Sequence, residues 1–172
     1  MANLFVVIRQ ALAAALVLMA QACGYDVPTA AIEPSGGAPP ASLMSALTEG
    51  ESWNPVYVKA RRSDDYVVLE GTAWVGDEAT LLIRLTIKAV AGESPQLIDS
   101  SGTISANVVY DPVYDAQQSW TAFGTMGSGT FLISSLSATR ATGTFSFTAR
   151  ALTVNSLPRD YRVTEGTFDV RF

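Results

Sequence analysis

The sequence predicts an all-β fold, organised as a single antiparallel meander of about 8–10 short strands. Two observations carry this prediction: apolar residues fall on every second position over several segments, and glycine-containing turns separate those segments. Alternation places one face of a strand on a core and the other in water, whereas a helix would spread the same residues around its circumference. The regular spacing is typical of a closed, calycin-like barrel or of a two-sheet sandwich.

Strand-like segments follow one another with polar turns between them. Segment 79–90 has the clearest rhythm, since Leu81, Ile83 and Leu85 share one face and polar residues occupy the other. Gly71 is a candidate bulge or bend, and Pro112 is expected to end a strand. Segment 43–48 could open a helix, but a hairpin with 53–60 is the simpler interpretation. The further predicted strands are 66–75, 79–90, 102–110, 119–123, one with Phe131 and Ile133, one with Phe145, 160–164 and 167–172, the last two of which can fuse across Gly166.

A three-residue signal recurs in the last third of the chain. Gly-Thr-Phe begins at Gly129, at Gly143 and at Gly166, and alternation follows each copy. The intervals between the copies differ, which argues against a structural repeat. We interpret the copies as strand starts, with glycine serving the turn and Thr and Phe the pleat.

Composition excludes several classes of function. The chain has 172 residues, of which 48% are hydrophobic, enough to fill a core, and it carries 16 Asp and Glu against 11 Lys and Arg. This acidic balance argues against a nucleic-acid partner. Histidine is absent and Cys23 is the one cysteine, so no Ser-His-Asp triad, Cys-His dyad, His-ligated metal or intramolecular disulfide can form. We expect no cofactor.

The first forty residues indicate export. Residues 1–22 resemble a signal peptide, because the apolar run 11–20 suits its hydrophobic core and is too short to span a bilayer. Ala20-Gln21-Ala22 fits ordinary cleavage, and the same residues before Cys23 resemble a bacterial lipobox, although Ala20 replaces the usual large aliphatic residue. We predict a lipid on Cys23, a flexible tether over 23–42 rich in Pro and Gly, and a β domain over 43–172.

The β-domain motifs resemble those of a known family. They are a small residue and a turn before Trp53, the Gly-Thr-Phe copies at 129–131 and 143–145, and the ending Val-Thr-Glu-Gly-Thr-Phe-Asp-Val-Arg-Phe at 163–172. Together they resemble small bacterial all-β lipoproteins of unknown function, over about 44–172. The resemblance implies a lipobox, a tether and a single β domain, and it transfers no catalytic or ligand residues. Gly24 after the cysteine resembles lipoproteins sent to the outer membrane, which predicts a location there, facing the periplasm or the cell surface.

Carboxylates are the remaining candidates for catalysis. Asp111 and Asp115 lie in a segment that also holds Tyr110, Tyr114 and, slightly later, Trp120, and paired acids with aromatic residues suggest a carbohydrate hydrolase. A solvated turn explains the same residues better. Other acidic clusters lack the spacing of a protease or calcium site; they are Asp99-Ser100-Ser101-Gly102, Asp64-Asp65 and Asp77-Glu78. Arg61-Arg62 could bind an anion, but a solvated turn explains the pair better.

The sequence thus favours a non-catalytic binding or interaction module on the cell envelope. It would be attached to the membrane through Cys23 and would hold a small apolar ligand or an envelope protein partner. Trp53, Trp74 and Trp120 are the aromatic residues that we expect to contact a ligand. The alternatives are a carboxylate-dependent hydrolase and a purely structural envelope protein.

Overall fold

A computed structural model describes residues 41–98, 101–113, 115–154 and 156–172, and within these ranges all regular structure is β-strand. None of these residues forms a helix of the length and apolarity that a membrane crossing requires. The strands are β1 (Leu43–Thr48), β2 (Glu51–Trp53), β3 (Tyr57–Arg62), β4 (Tyr66–Val75), β5 (Ala79–Lys88), β6 (Gln96–Leu97), β7 (Ser105–Pro112), β8 (Gln118–Ala122), β9 (Ser128–Leu136), β10 (Arg140–Ala151) and β11 (Asp160–Arg171).

The strands pair antiparallel in the order β2-β1-β11-β10-β8-β7-β5-β4-β3, and β9 pairs with both β10 and the short β6. Apart from β6 and β9, neighbours in the sheet are neighbours along the chain, and the first strand closes onto the last. The sheet is strongly curled into a half-barrel. The prediction of an all-β antiparallel meander is confirmed.

The concave face of this sheet holds the core. The inward residues of β5 are buried as the alternation predicted, and Phe145, Phe147 and Ala149 of β10 are buried in the same way. Every inward position of these strands removes apolar surface from water, at about 25 cal/mol per Å². Burial, rather than intrinsic strand propensity, therefore fixes the register of the sheet.

The Gly-Thr-Phe copies play a role different from the predicted one. The copies at Gly143 and Gly166 face each other: Gly143 pairs with Phe168 and Phe145 pairs with Gly166. An added Cβ would lie 2.4 Å from the Phe168 ring at Gly143 and 2.5 Å from the Phe145 ring at Gly166. Gly129 lies at the start of β9 and pairs with Phe147, whose Cβ would be 2.5 Å from an added Cβ. Gly143 and Gly166 lie inside strands and provide space for a phenylalanine ring across the ladder, so their interpretation as strand starts was wrong.

The last two predicted strands are one. β11 runs through Gly166, and its register shifts against both β1 and β10 around Glu165, whose φ is +52°. A residue in this left-handed region interrupts the ladder and bends the strand, as in a β-bulge. The bulge therefore lies at Glu165, whereas the sequence had suggested one at Gly71.

Gly71 is not a bulge, since β4 keeps a continuous register with both β3 and β5 there. It makes room for the Trp53 ring, which would lie 2.4 Å from an added Cβ. The predicted strand 53–60 is divided, because β2 ends at Trp53 and β3 begins at Tyr57. Pro112 still pairs with Ala79, since it stands beyond the last β7–β8 pair and its missing N–H is not needed there.

Smaller differences concern turns: the predicted loop 92–101 contains β6, and β10 starts at Arg140 inside the predicted turn 137–142. The predicted signal peptide and Cys23 lie outside the described residues. Of the predicted tether only 41–42 is described, and the Ser42 hydroxyl accepts a hydrogen bond from the Arg171 backbone N–H at 3.0 Å.

Candidate functional site

A cleft of about 620 Å³ opens at one end of the curled sheet. Four connections border it: the β1–β2 turn, the β2–β3 connection, the β4–β5 turn and the loop between β10 and β11. The chain enters β1 at the opposite end, since β1 runs from Leu43 towards the turn at Glu49. The lining residues are Thr48, Glu49, Glu51, Ser52, Trp53, Asn54, Ala73, Trp74, Val75, Gly76, Leu81, Tyr110, Gln118, Trp120, Leu157 and Tyr161.

All three tryptophans of the chain line this cleft, at two depths. Trp53 and Trp120 are each 2% exposed and form its floor, whereas Trp74 is 61% exposed and stands at the rim. The Trp53 indole N–H donates to the Leu81 carbonyl at 3.2 Å, and that of Trp120 donates to the Pro158 carbonyl at 2.6 Å. Because these two donors are engaged by backbone carbonyls, the floor offers ring surface rather than hydrogen-bond donors.

Tyr161 completes the aromatic lining beside Trp120. The two ring centroids are 4.7 Å apart with an interplanar angle of 44°, a tilted contact. Burial raises the pKa of the Tyr161 phenol, a side-chain hydrogen bond with Thr48 opposes that rise, and the negative charges of Glu49 and Glu51 reinforce it. The phenol is therefore neutral at physiological pH and lies in a negative potential.

The charged side chains that line the cleft are all acidic. Glu49 and Glu51 are its ionisable groups at neutral pH, and none of the lining residues is Lys or Arg. Glu49 is held in place, since its carboxylate accepts a hydrogen bond from the backbone N–H of Arg162. Both acids belong to one hairpin, so they approach the cleft from one side and do not face each other across it.

A buried serine fixes the loop that carries Leu157 and Pro158. Ser156 is fully buried; its hydroxyl accepts from the Ser119 backbone N–H at 3.1 Å, lies 3.2 Å from the Ser119 carbonyl and 2.8 Å from the Thr153 hydroxyl. These bonds attach the loop to β8. The loop carbonyl that accepts the Trp120 indole N–H is thereby positioned as well.

The predicted carboxylate site is not assembled at the cleft. Asp111 lies on β7 and Asp115 follows it, both are exposed, and neither lines the cleft. The Asp115 carboxylate accepts from the Ala116 backbone N–H at 2.7 Å, which is the behaviour of a solvated turn. Tyr110 and Trp120 from the same segment do line the cleft, and Tyr114 lies outside the described residues.

The other acidic clusters considered from the sequence do not form a binding site in the described residues. Asp64 and Asp65, like Asp77 and Glu78, fall in turns, and Asp99 lies outside the described residues. Within the described ranges no group of three or more His, Cys, Asp or Glu side chains could hold a metal ion.

Sequence reasoning singled out the three tryptophans and missed Tyr161, Glu49 and Glu51. The alternation of Tyr161 with Val163 was a usable signal for its inward orientation. For the glutamates no local signal existed, because they resemble ordinary turn residues.

Comparison with known proteins gives no further guidance: no family model matches the chain, and no curated protein or solved structure is significantly similar to it.

Proposed function

We propose that this protein is an exported, lipid-anchored cell-envelope module that binds a small, largely apolar ligand in the cleft and does no chemistry on it. The observation that carries the proposal is the convergence of Trp53, Trp74 and Trp120 on one concave site. They come from β2, β4 and β8, which are distant in sequence. Pockets that bind small molecules are typically apolar and aromatic with a few polar groups, and this cleft has that composition.

We also infer that the half-barrel is a variant of the closed calycin-like barrel rather than of a sandwich. The meander order supports this, since β2 and β3, at the two ends of the sheet, are also consecutive in the chain. Trp53 supports it too, because it extends from β2 to the Leu81 carbonyl on β5 and to Gly71 on β4. The cleft then corresponds to the mouth of the barrel, a common place for ligands.

A binding role is favoured over hydrolysis by the position of the acids. A glycosidase needs two carboxyl groups on opposite sides of the scissile bond, about 5–10 Å apart. Asp111 and Asp115 lie outside the cleft, and Glu49 and Glu51 enter it from one hairpin.

Export and the lipid anchor are supported by the run 11–20, by Cys23 and by the resemblance to all-β lipoproteins. The entry of the chain at the end opposite the cleft is compatible with an anchor that leaves the cleft accessible. Intact-mass measurement of membrane-extracted protein should show the added diacylglyceryl and acyl groups. A Cys23→Ser variant that remains equally membrane-bound would count against the anchor.

Ligand binding is tested with the neutral apolar dye N-phenyl-1-naphthylamine, whose fluorescence rises in apolar sites. We expect saturable binding that weakens about tenfold in Trp74→Ala, since an exposed aromatic contact of about 1.4 kcal/mol corresponds to that factor. The matched control is Tyr57→Ala: Tyr57 is 59% exposed, as Trp74 is 61%, but it does not line the cleft. Dye binding that both variants weaken equally would overturn the proposal.

A further inference from the structure

We propose that the ligand of this cleft is an organic cation, with a quaternary or alkylated ammonium group held between aromatic rings and the two glutamates. The inference rests on the proposed binding function and adds the chemical class of the ligand. Its starting observation is the combination of four aromatic side chains lining the cleft, Trp53, Trp74, Trp120 and Tyr161, with two carboxylates and no cationic side chain.

The aromatic rings supply one half of the recognition. The face of an indole or phenol ring attracts a cation within about 6 Å of its centroid, most strongly for Trp. Trp74 at the rim is 61% exposed, and the Tyr161 ring stands against the 2% exposed Trp120 ring, with 4.7 Å between their centroids. Because the indole N–H groups of Trp53 and Trp120 already donate to backbone carbonyls, these rings do not prefer a ligand with hydrogen-bond acceptors. An alkylated ammonium, which donates few or no hydrogen bonds, suits such a surface.

The glutamates supply the other half. An anionic or strongly acceptor-rich ligand would be repelled, since Glu49 and Glu51 are not balanced by a basic lining residue. The negative potential reaches the aromatic wall, because both carboxylates contribute to the raised pKa of Tyr161. Glu49 is fixed by the Arg162 backbone N–H, so its charge is already in position before a ligand arrives. Electrostatic complementarity of this kind selects the ligand more than it adds affinity.

A purely apolar ligand fits these observations less well. Such a ligand would make no use of the two exposed carboxylates beside it, one of which already accepts a hydrogen bond from the Arg162 backbone N–H. A cation gains a Coulombic attraction to both. The area and shape of the cleft serve either ligand equally, so the charge of the lining decides between them.

The test compares choline with 3,3-dimethylbutan-1-ol, its neutral isostere of nearly equal size. We expect choline to bind at least about tenfold more tightly, as measured by calorimetry or by chemical-shift titration at low salt, with the preference shrinking as salt is added. Glu51→Gln should reduce the preference. Glu93→Gln changes the net charge equally but lies outside the cleft lining, and it should leave the preference unchanged.

A second readout uses the phenol of Tyr161. Bound choline should lower the pKa of Tyr161 in an ultraviolet titration, because a nearby cation stabilises the phenolate, whereas the isostere should not. Equal binding of the two probes together with a Trp74-dependent dye site would overturn the cation and leave the binding function standing. Absence of binding by the dye and by both probes would overturn both. Equal effects of Glu51→Gln and Glu93→Gln would show that only the overall charge matters and would also overturn the cation site.

Discussion

Replacing Gly166 with alanine tests the role of the glycines that face phenylalanine rings. The three nearest atoms to an added Cβ all belong to the Phe145 ring, at 2.5 to 2.6 Å. Carbon atoms in contact prefer about 3.5–4.0 Å, so the ring or the strand must move by about 1 Å. Overpacking of this size costs about 1–3 kcal/mol. For a domain of this size about 4 °C of Tm corresponds to 1 kcal/mol, so we expect Tm to fall by about 4–12 °C.

Gly143→Ala should be more damaging, for a reason the structure makes explicit. Its added Cβ would lie 2.0 Å from the Leu132 carbonyl oxygen as well as 2.4 Å from the Phe168 ring. A side chain can rotate away, but a carbonyl of the paired strand cannot move without breaking the ladder. We expect a loss of about 3 kcal/mol or more, above the range for Gly166→Ala.

Gly92→Ala is the matched control, because nothing lies within 4 Å of its added Cβ and its φ is not positive. This variant should be neutral or stabilised by up to about 1 kcal/mol, through the lower entropy of its unfolded chain. The assay is thermal and urea unfolding followed by circular dichroism, with the double variant Gly166→Ala, Phe145→Leu included. If the clash is with the ring, the smaller side chain should relieve it, giving a coupling energy of about 0.5–3 kcal/mol. A Gly166→Ala protein that melts like Gly92→Ala, or a strictly additive double variant, would refute the reasoning.

The remaining predictions concern the pH dependence of stability, through Tyr161 and Asp169, and the hydrogen bonds of the Ser156 hydroxyl. Folding raises the pKa of the Tyr161 phenol above 10.0, the value of a free phenol. The neutral phenol therefore contributes to folding stability below pH 10.0, and this contribution is lost as pH rises through the pKa of the folded protein. Tyr161→Phe should flatten the alkaline decline of Tm. A hydrogen bond from Arg140 and its charge hold the pKa of the Asp169 carboxyl below 3.8, the value of a free carboxyl. The carboxylate therefore contributes to folding stability above pH 3.8, and this contribution is lost as pH falls towards the pKa of the folded protein. Asp169→Asn should therefore flatten acid unfolding below about pH 4, by a small amount that 1 M salt abolishes, because the pair is exposed. Ser156→Ala should cost about 1–3 kcal/mol, since the Ser119 backbone N–H loses the Ser156 hydroxyl as its acceptor, and amide exchange of that N–H should speed up; unchanged exchange would contradict this.

The strands were predictable from the sequence because their cause is local. An apolar residue at every second position, as in Leu81, Ile83 and Leu85, can satisfy only a half-buried strand, and the structure buries all three. The division of 53–60 had a local signal in Pro55, whose missing backbone N–H disfavours a continuous strand. The contact of Trp53 with Gly71 across the sheet had no such signal.

The roles of the glycines and the position of the cleft also depend on contacts between distant strands, which the local sequence does not reveal. Gly143 and Gly166 looked like turn residues, since glycine is common in turns, and only the pairing of two distant strands reveals that each faces a phenylalanine. The tryptophans were recognised as candidates by residue type. Their convergence follows from the curl of the whole sheet, as does the approach of Glu49 and Glu51 to Tyr161.

The pairing of β1 with β11 bears on when this domain can fold. Leu43 aligns with Asp169, so the first strand of the domain has its main partner in its last strand. Without β11, β1 can pair only with the three-residue β2, and a lone hairpin is marginally stable in water. The β1 edge of the sheet is therefore stable only once β11 is in place.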